Sequence, residues 1–321
     1  MKNIIKLLSV LFALSFAQSA WAACVVNGTS YKTITGSGTK VTRTQMLAWS
    51  SGDVTTCDVT DSSLNDMSEL FKGKTSFDQD LSAWNTGAVT NMNNMFYNAT
   101  SLTTVSLPDT GAVLDMSYMF YGATSLTTVS LPDTGAVENM NNMFYNATSL
   151  TTVSLPDTGA VLDMSYMFVG ATSLTTVSLP DTGAVKHMSY MFYNATSLTT
   201  VSLPDTSSVT NMGVMFYNAT SLITVSLPDI SSVTTMSFMF YNASSFNQDI
   251  RGWDVTGVAN FNNMFNNATA MIAAFSSTPN WNITPTAAWF TPDTTAPTMA
   301  ITASEVSDGG TSNDATLSLT F

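Results

Sequence analysis

The chain is 321 residues long and 45% hydrophobic, enough apolar material to fill a sizeable core, which excludes a wholly disordered polypeptide. Nine Lys and Arg against 22 Asp and Glu give a formal charge of −13 at pH 7, so the basic footprint needed for nucleic acid or anionic lipid is missing. One His and two Cys leave too few ligands for a Cys/His metal centre and too few bases for triad chemistry; neither enzyme activity nor a cofactor is expected.

At the N-terminus, Lys2 and Lys6 flank an apolar run from Leu7 to Ala17 that ends in Ala20-Trp21-Ala22, which predicts a cleaved secretory signal over 1–22 and a secreted or cell-surface location. No later stretch offers 18 consecutive apolar residues, so no membrane span is expected. Export permits a Cys24–Cys57 disulfide, and residues 23–60, Thr-rich and non-repetitive, read as a stapled N-terminal cap. The competing reading makes Trp21-Ala22-Ala23-Cys24 a lipobox and Cys24 a lipid anchor. Trp in place of the usual aliphatic residue, and the loss of Cys57's partner, count against it.

From 61 to 270 the chain repeats itself. Met-Phe recurs at Met95, Met119, Met143, Met167, Met191, Met215 and Met239 with a period of 24, flanked by Leu70-Phe71 and Met264-Phe265 at a spacing of 25, giving about nine units. Residues 95–142 and 143–190 differ at five of 48 positions, among them Tyr121 against Val169 and Glu138 against Lys186, as a tandem duplication of a two-repeat block would leave them.

Within a unit, Leu102-Thr103-Thr104-Val105-Ser106-Leu107 has the L-x-x-L-x-L spacing of a leucine-rich repeat. Alternation puts Val105 and Leu107 on one face and Thr104 and Ser106 on the other, a short strand ended by Pro108 and the turn residues Asp109-Thr110-Gly111. Val113, Met116, Met119 and Phe120 follow at three- and four-residue intervals, which predicts a helical turn. The expected fold is therefore a leucine-rich-repeat-like solenoid with one short parallel β-strand and one short helical turn per 24–25-residue repeat. Asn98, Gly122, Asn146, Gly170, Asn194, Asn218, Asn242 and Asn267 share a column, and Asn and Gly are the residues that tolerate a left-handed backbone. Asn-Ala-Thr also matches a glycosylation acceptor, but a position that accepts Gly is not reserved for a sugar.

The outward hydroxyls form the candidate binding face: Thr104, Ser106, Thr128, Ser130, Thr152, Ser154, Thr176, Ser178, Thr200, Ser202, Thr224 and Ser226. Asp109, Asp133, Asp157, Asp181, Asp205 and Asp229 form one column that offers calcium a single carboxylate per repeat; an Asx turn, available equally to Asn85, accounts for the column without an ion. Met-x-x-Met pairs such as Met92/Met95 and Met116/Met119 supply soft thioethers that copper favours, but their inward columns read as core filler. His187 aligns with Asn139 and Asp163 and is expected in solvent, with no nucleophile to activate. Tyr97, Tyr121, Tyr145, Tyr193, Tyr217 and Tyr241 read as a rung-to-rung aromatic ladder rather than a sugar platform.

The segments "SFDQDLSAWNTGAVTNMNNMFYNATS" (76–101) and "SFNQDIRGWDVTGVANFNNMF" (245–265) resemble the repeat of the bacterial surface protein A-like leucine-rich-repeat family, with phased F-x-Q-D, W-[DN] and N-M-x-x-M-F elements. The central repeats, "SLTTVSLPDTGAV", are one residue shorter and carry Pro in place of Trp. The resemblance covers about 60–270 and implies an extracellular interaction or adhesion module without catalytic residues. The tail, 293–321, resembles the opening strands of a bacterial immunoglobulin-like domain, of which 29 residues are too few, so the natural protein is expected to be longer. Residues 271–292, with Trp281 and Trp289, are expected to cap the last repeat. Together these features predict a surface or secreted protein that meets an extracellular protein or polysaccharide. The alternatives are a spacer displaying later domains and ice binding by the hydroxyl rows, against which the usual curvature of such a face counts.

Overall fold

A 24-residue unit with one short strand cannot bury its own apolar side chains, so stability has to come from stacking unit on unit. The computed structural model describes residues 24–291, and there the units stack as rungs of a leucine-rich-repeat-like solenoid. The segments 1–22 and 293–321, read as a signal and an immunoglobulin-like start, lie outside the described residues. Six rungs carry strands: β3 (Thr104–Ser106), β4 (Thr128–Ser130), β5 (Thr152–Ser154), β6 (Thr176–Ser178), β7 (Thr200–Ser202) and β8 (Thr224–Ser226). They pair in parallel and in register as β3–β4, β5–β6 and β7–β8, so that Val105 lies beside Val129 and Val153 beside Val177. The pairing repeats every 48 residues, the length of the duplicated block.

Across the core runs a second wall, held by a ladder of single bridges that steps without a break from Asp66 through Asn91, Asp115, Asn139, Asp163, His187, Asn211 and Thr235 to Asn260. Between the walls the phenylalanines of nine rungs form one stack, Phe71, Phe96, Phe120, Phe144, Phe168, Phe192, Phe216, Phe240 and Phe265, with centroids 5.4–5.6 Å apart and 6.0 Å at the last step. The methionines flank them: Met92, Met95, Met116 and Met119 have no exposed surface.

Two expectations need correction. The segment from Val113 to Phe120 is not a helical turn but a run of β-turns. Met119 donates to the Met116 carbonyl and Tyr121 to that of Tyr118, whereas Met116, Tyr118, Phe120 and Gly122 donate to Asn139, Asn141, Met143 and Tyr145 of the next rung. A helix two turns long is marginal alone; alternating the donors lets every second N–H bind the neighbouring rung instead. The price is a left-handed residue every fourth position, such as Tyr118 (φ 57°) and Gly122 (φ 68°).

Secondly, the strand occurs in six of the nine rungs, not in all. Where the longer, Trp-containing form replaces it, side chains close the edges of the sheet: Asp78 Oδ1 accepts the Thr103 N–H at 2.9 Å beside β3, and Gln248 Oε1 accepts the Val225 N–H at 2.7 Å on β8. Asp78 is the variable residue of the first F-x-Q-D element, and Gln248 is the Q of the second.

At the N-terminal end, β1 (Cys24–Val26) and β2 (Thr29–Tyr31) form an antiparallel hairpin, followed by α1 (Arg43–Leu47). A Cys24–Cys57 disulfide ties the hairpin to the chain entering the rungs, beside an ion pair of Lys32 with Asp58 at 2.6 Å. Trp84 Nε1 donates to the Val54 carbonyl at 2.8 Å and joins this segment to the solenoid. At the other end come α2 (Thr269–Phe275) and α3 (Ala287–Phe290), where Trp281 stacks on Phe265 at 5.4 Å and Trp289 meets it edge-on at 5.5 Å.

Candidate interaction surfaces

On the strand wall, the pleat turns each central Val inward and its two neighbours outward. All twelve hydroxyl-bearing residues of the candidate face, from Thr104 and Ser106 to Thr224 and Ser226, are exposed. In-register pairing sets Thr beside Thr and Ser beside Ser, so the wall presents two uncharged rows of donors and acceptors.

Beyond Pro108 the chain turns through the Asp column. Asp109, Asp133, Asp157 and Asp181 each accept, on Oδ1, the N–H of the Gly two residues on, at 2.8–3.0 Å, and Asp205 and Asp229 take those of Ser207 and Ser231. These backbone bonds, aided by the same serines' hydroxyls, hold the Asp205 and Asp229 carboxyls below the usual range. Asn85 makes the weaker equivalent at 3.4 Å. The column is thus a series of Asx turns, and among the described residues no group of three or more His, Cys, Asp or Glu converges as a metal site.

Beneath it lies a row that the sequence alone presents as turn residues. Thr86, Thr110, Thr134, Thr158, Thr182 and Thr206 are buried, and each donates its hydroxyl to the carbonyl of the next rung's Asp. The available signal was Ile230, an apolar residue in a column of otherwise invariant Thr, which marks the position as interior.

The turn wall is aromatic. Tyr97, Tyr121 and Tyr145 stack at 4.6 and 4.5 Å, Val169 interrupts, and Tyr193, Tyr217 and Tyr241 stack at 4.9 and 4.6 Å. Burial, then the neighbouring rings, raises the Tyr121 hydroxyl above its ordinary pKa. A second file, in which Tyr166 stacks on Tyr190 at 4.7 Å, occupies left-handed positions that mixed side chains had concealed, Val214 and Phe238 among them. His187 is exposed in the bridge column between Asp163 and Asn211. In the Asn/Gly column all eight residues have positive φ. Asn98 Oδ1 lies where a Cβ on Gly122 would be, 2.1 Å away, whereas Asn218 next to Asn194 donates to it at 2.9 Å. The five differences between the duplicated blocks, at 121/169, 138/186, 139/187, 141/189 and 142/190, all fall on this wall.

The family model described as "Mycoplasma protein of unknown function, DUF285" matches residues 44–152, 127–224 and 197–296. No curated protein matches the chain. Similar solved structures include a leucine-rich repeat protein from Eubacterium ventriosum, 19% identical with a TM-score of 0.38, covering 53% of this chain and 41% of that one. An internalin from Listeria monocytogenes is 15% identical with a TM-score of 0.34, covering 65% and 57%. A leucine rich cell surface protein from Faecalibacterium prausnitzii is 21% identical with a TM-score of 0.32, covering 54% and 44%. The chain spans about half the length of these structures. Among the described residues no helix is long and apolar enough to cross a membrane.

Proposed function

We propose that this chain, which belongs to the DUF285 family, is an exported, surface-displayed or secreted interaction module of the surface protein A-like type, and that its strand wall binds an extracellular protein or glycan without catalysis. The observation that carries this reading is the exposure of all twelve Thr and Ser hydroxyls in two in-register rows. An uncharged face of this kind recognises its partner by hydrogen bonds, so binding should change little with salt. Repetition spreads identical residues along a surface instead of converging them in a pocket, which supports a binding role over an enzymatic one. The leader over 1–22 supports export.

The test is a screen of the immobilised protein against extracellular-matrix proteins and glycans, repeated with Thr152→Lys and Thr176→Lys. Saturable binding lost in both variants is expected; a panel with no binder, or a binder indifferent to both, would refute the reading. Mass spectrometry of the exported chain bears on the leader: an N-terminus at Ala23 with Cys24 bonded to Cys57 is expected, and a lipid on Cys24 would instead mean membrane anchoring. A spacer role gains support from the repetition itself, since each 48-residue block adds one more in-register strand pair between unchanged ends.

A further inference from the structure

The five differences between two otherwise identical blocks spare the strand wall and the Asp column, and one of them reverses a charge. Glu138 and Lys186 occupy the same column of the turn wall, two rungs apart, with Leu162 between them. Between residues 75 and 250 they are the only Glu and the only Lys or Arg. Both are exposed, neither side chain has a partner among the described residues, and the Leu162 rung stands between them, two rungs being about 10 Å at the usual strand spacing. The same wall holds three of the six large apolar side chains most exposed among the described residues: Leu114 at 49%, Leu162 at 42% and Tyr166 at 37%.

We propose that the turn wall is where two copies of this chain meet, antiparallel, about a twofold axis along the Leu162 rung. Such an axis leaves each column facing itself and reverses the order of the rungs. Glu138 then meets the partner's Lys186, and Lys186 meets the partner's Glu138, while Leu162 and Tyr166 cover their own counterparts at the centre. The parallel alternative sets Glu138 against Glu138 and Lys186 against Lys186, so charge selects one arrangement. Asp163 lies on the axis, but its Oδ1 is folded back onto the Ser165 N–H at 2.8 Å, and the partner's His187 is only one rung away. The five rungs from Leu114 to Thr210, two on each side of the axis, give a strip of about 24 Å, at the low end of specific interfaces, so the dimer is weak and concentration-dependent.

Sedimentation of the full chain over a range of concentrations decides it. A monomer–dimer equilibrium is expected, with Glu138→Lys and Lys186→Glu each raising the dissociation constant about tenfold or more, because two contacts per dimer turn repulsive. The double variant should return to within about threefold of the original. A monomer at every concentration up to about 1 mM, a dimer indifferent to the single changes, or no rescue in the double variant would overturn the proposal. Thr152→Lys, on the other wall, should leave the equilibrium unchanged; its abolition of the dimer would place the contact on the strand wall instead.

Discussion

Leu107 and Thr104 sit three residues apart and face opposite ways, Leu107 1% exposed and Thr104 on the open side of β3. Leu107→Asp should cost roughly 3 kcal/mol or more by burying an unpaired charge, and Thr104→Asp no more than about 0.5 kcal/mol. Circular dichroism melts of the pair check this, and equal losses would contradict the facing. Thr134→Val leaves the Asp157 carbonyl without the hydroxyl bound to it and should cost about 1–2 kcal/mol despite the near-identical shape. Gly122 offers an inversion of ordinary expectation. Ala there meets both a left-handed backbone and Asn98 Oδ1, for about 1–3 kcal/mol, while the larger Asn should be tolerated better, because it accepts that backbone and can donate to Asn98 as Asn218 does to Asn194. Denaturant midpoints of Gly122→Ala and Gly122→Asn would rank them.

At the scale of elements, strands were legible and the second wall was not. The alternation of Thr104, Val105, Ser106 and Leu107 can only be a strand facing a core, and Pro108 fixes its end. The spacing of Val113, Met116, Met119 and Phe120, by contrast, suits a helix and successive β-turns equally, since both return a side chain to the core every three or four residues. Only the donor pattern between rungs separates them, and that pattern has no side-chain signature where Tyr118, Val214 and Phe238 share one backbone shape. The exposed hydroxyl rows followed from alternation alone, whereas the buried Thr row beneath them depends on a neighbour 23 residues away. On the chain entering the rungs, Asp58 is pulled up by burial but more strongly down by Lys32 and Thr60, and settles at about 2 against a usual 3.8. Its contribution, about 2 kcal/mol, is therefore complete above pH 4 and lost as the pH falls through 2. Acid melts of Asp58→Asn should lack this loss; a wild-type cap equally stable at pH 2 and pH 5 would refute it.

For the whole molecule, each rung touches only its neighbours, so stability is a sum over adjacent pairs. Removing residues 143–190 joins Asn142 to Met191 in the register the period already provides, and the shortened chain should fold with its melting temperature nearly unchanged. Damage in the middle should divide the stack into two partly folded halves, and damage beside Cys57 or Trp281 should unfold it from one end; hydrogen exchange of Leu155→Asp against a Trp281→Ala chain would distinguish the two patterns.

The inter-rung hydrogen bonds of the turn wall have a mechanical meaning. A chain pulled by its ends cannot load them all at once: the terminal rung peels first, then the next, each freeing 24 residues, or about 75 Å of slack, at nearly the same force. The Cys24–Cys57 bond fastens one end, so peeling should begin at the other. Under tension such a chain is a tether that lengthens in equal steps and re-forms when the load is released.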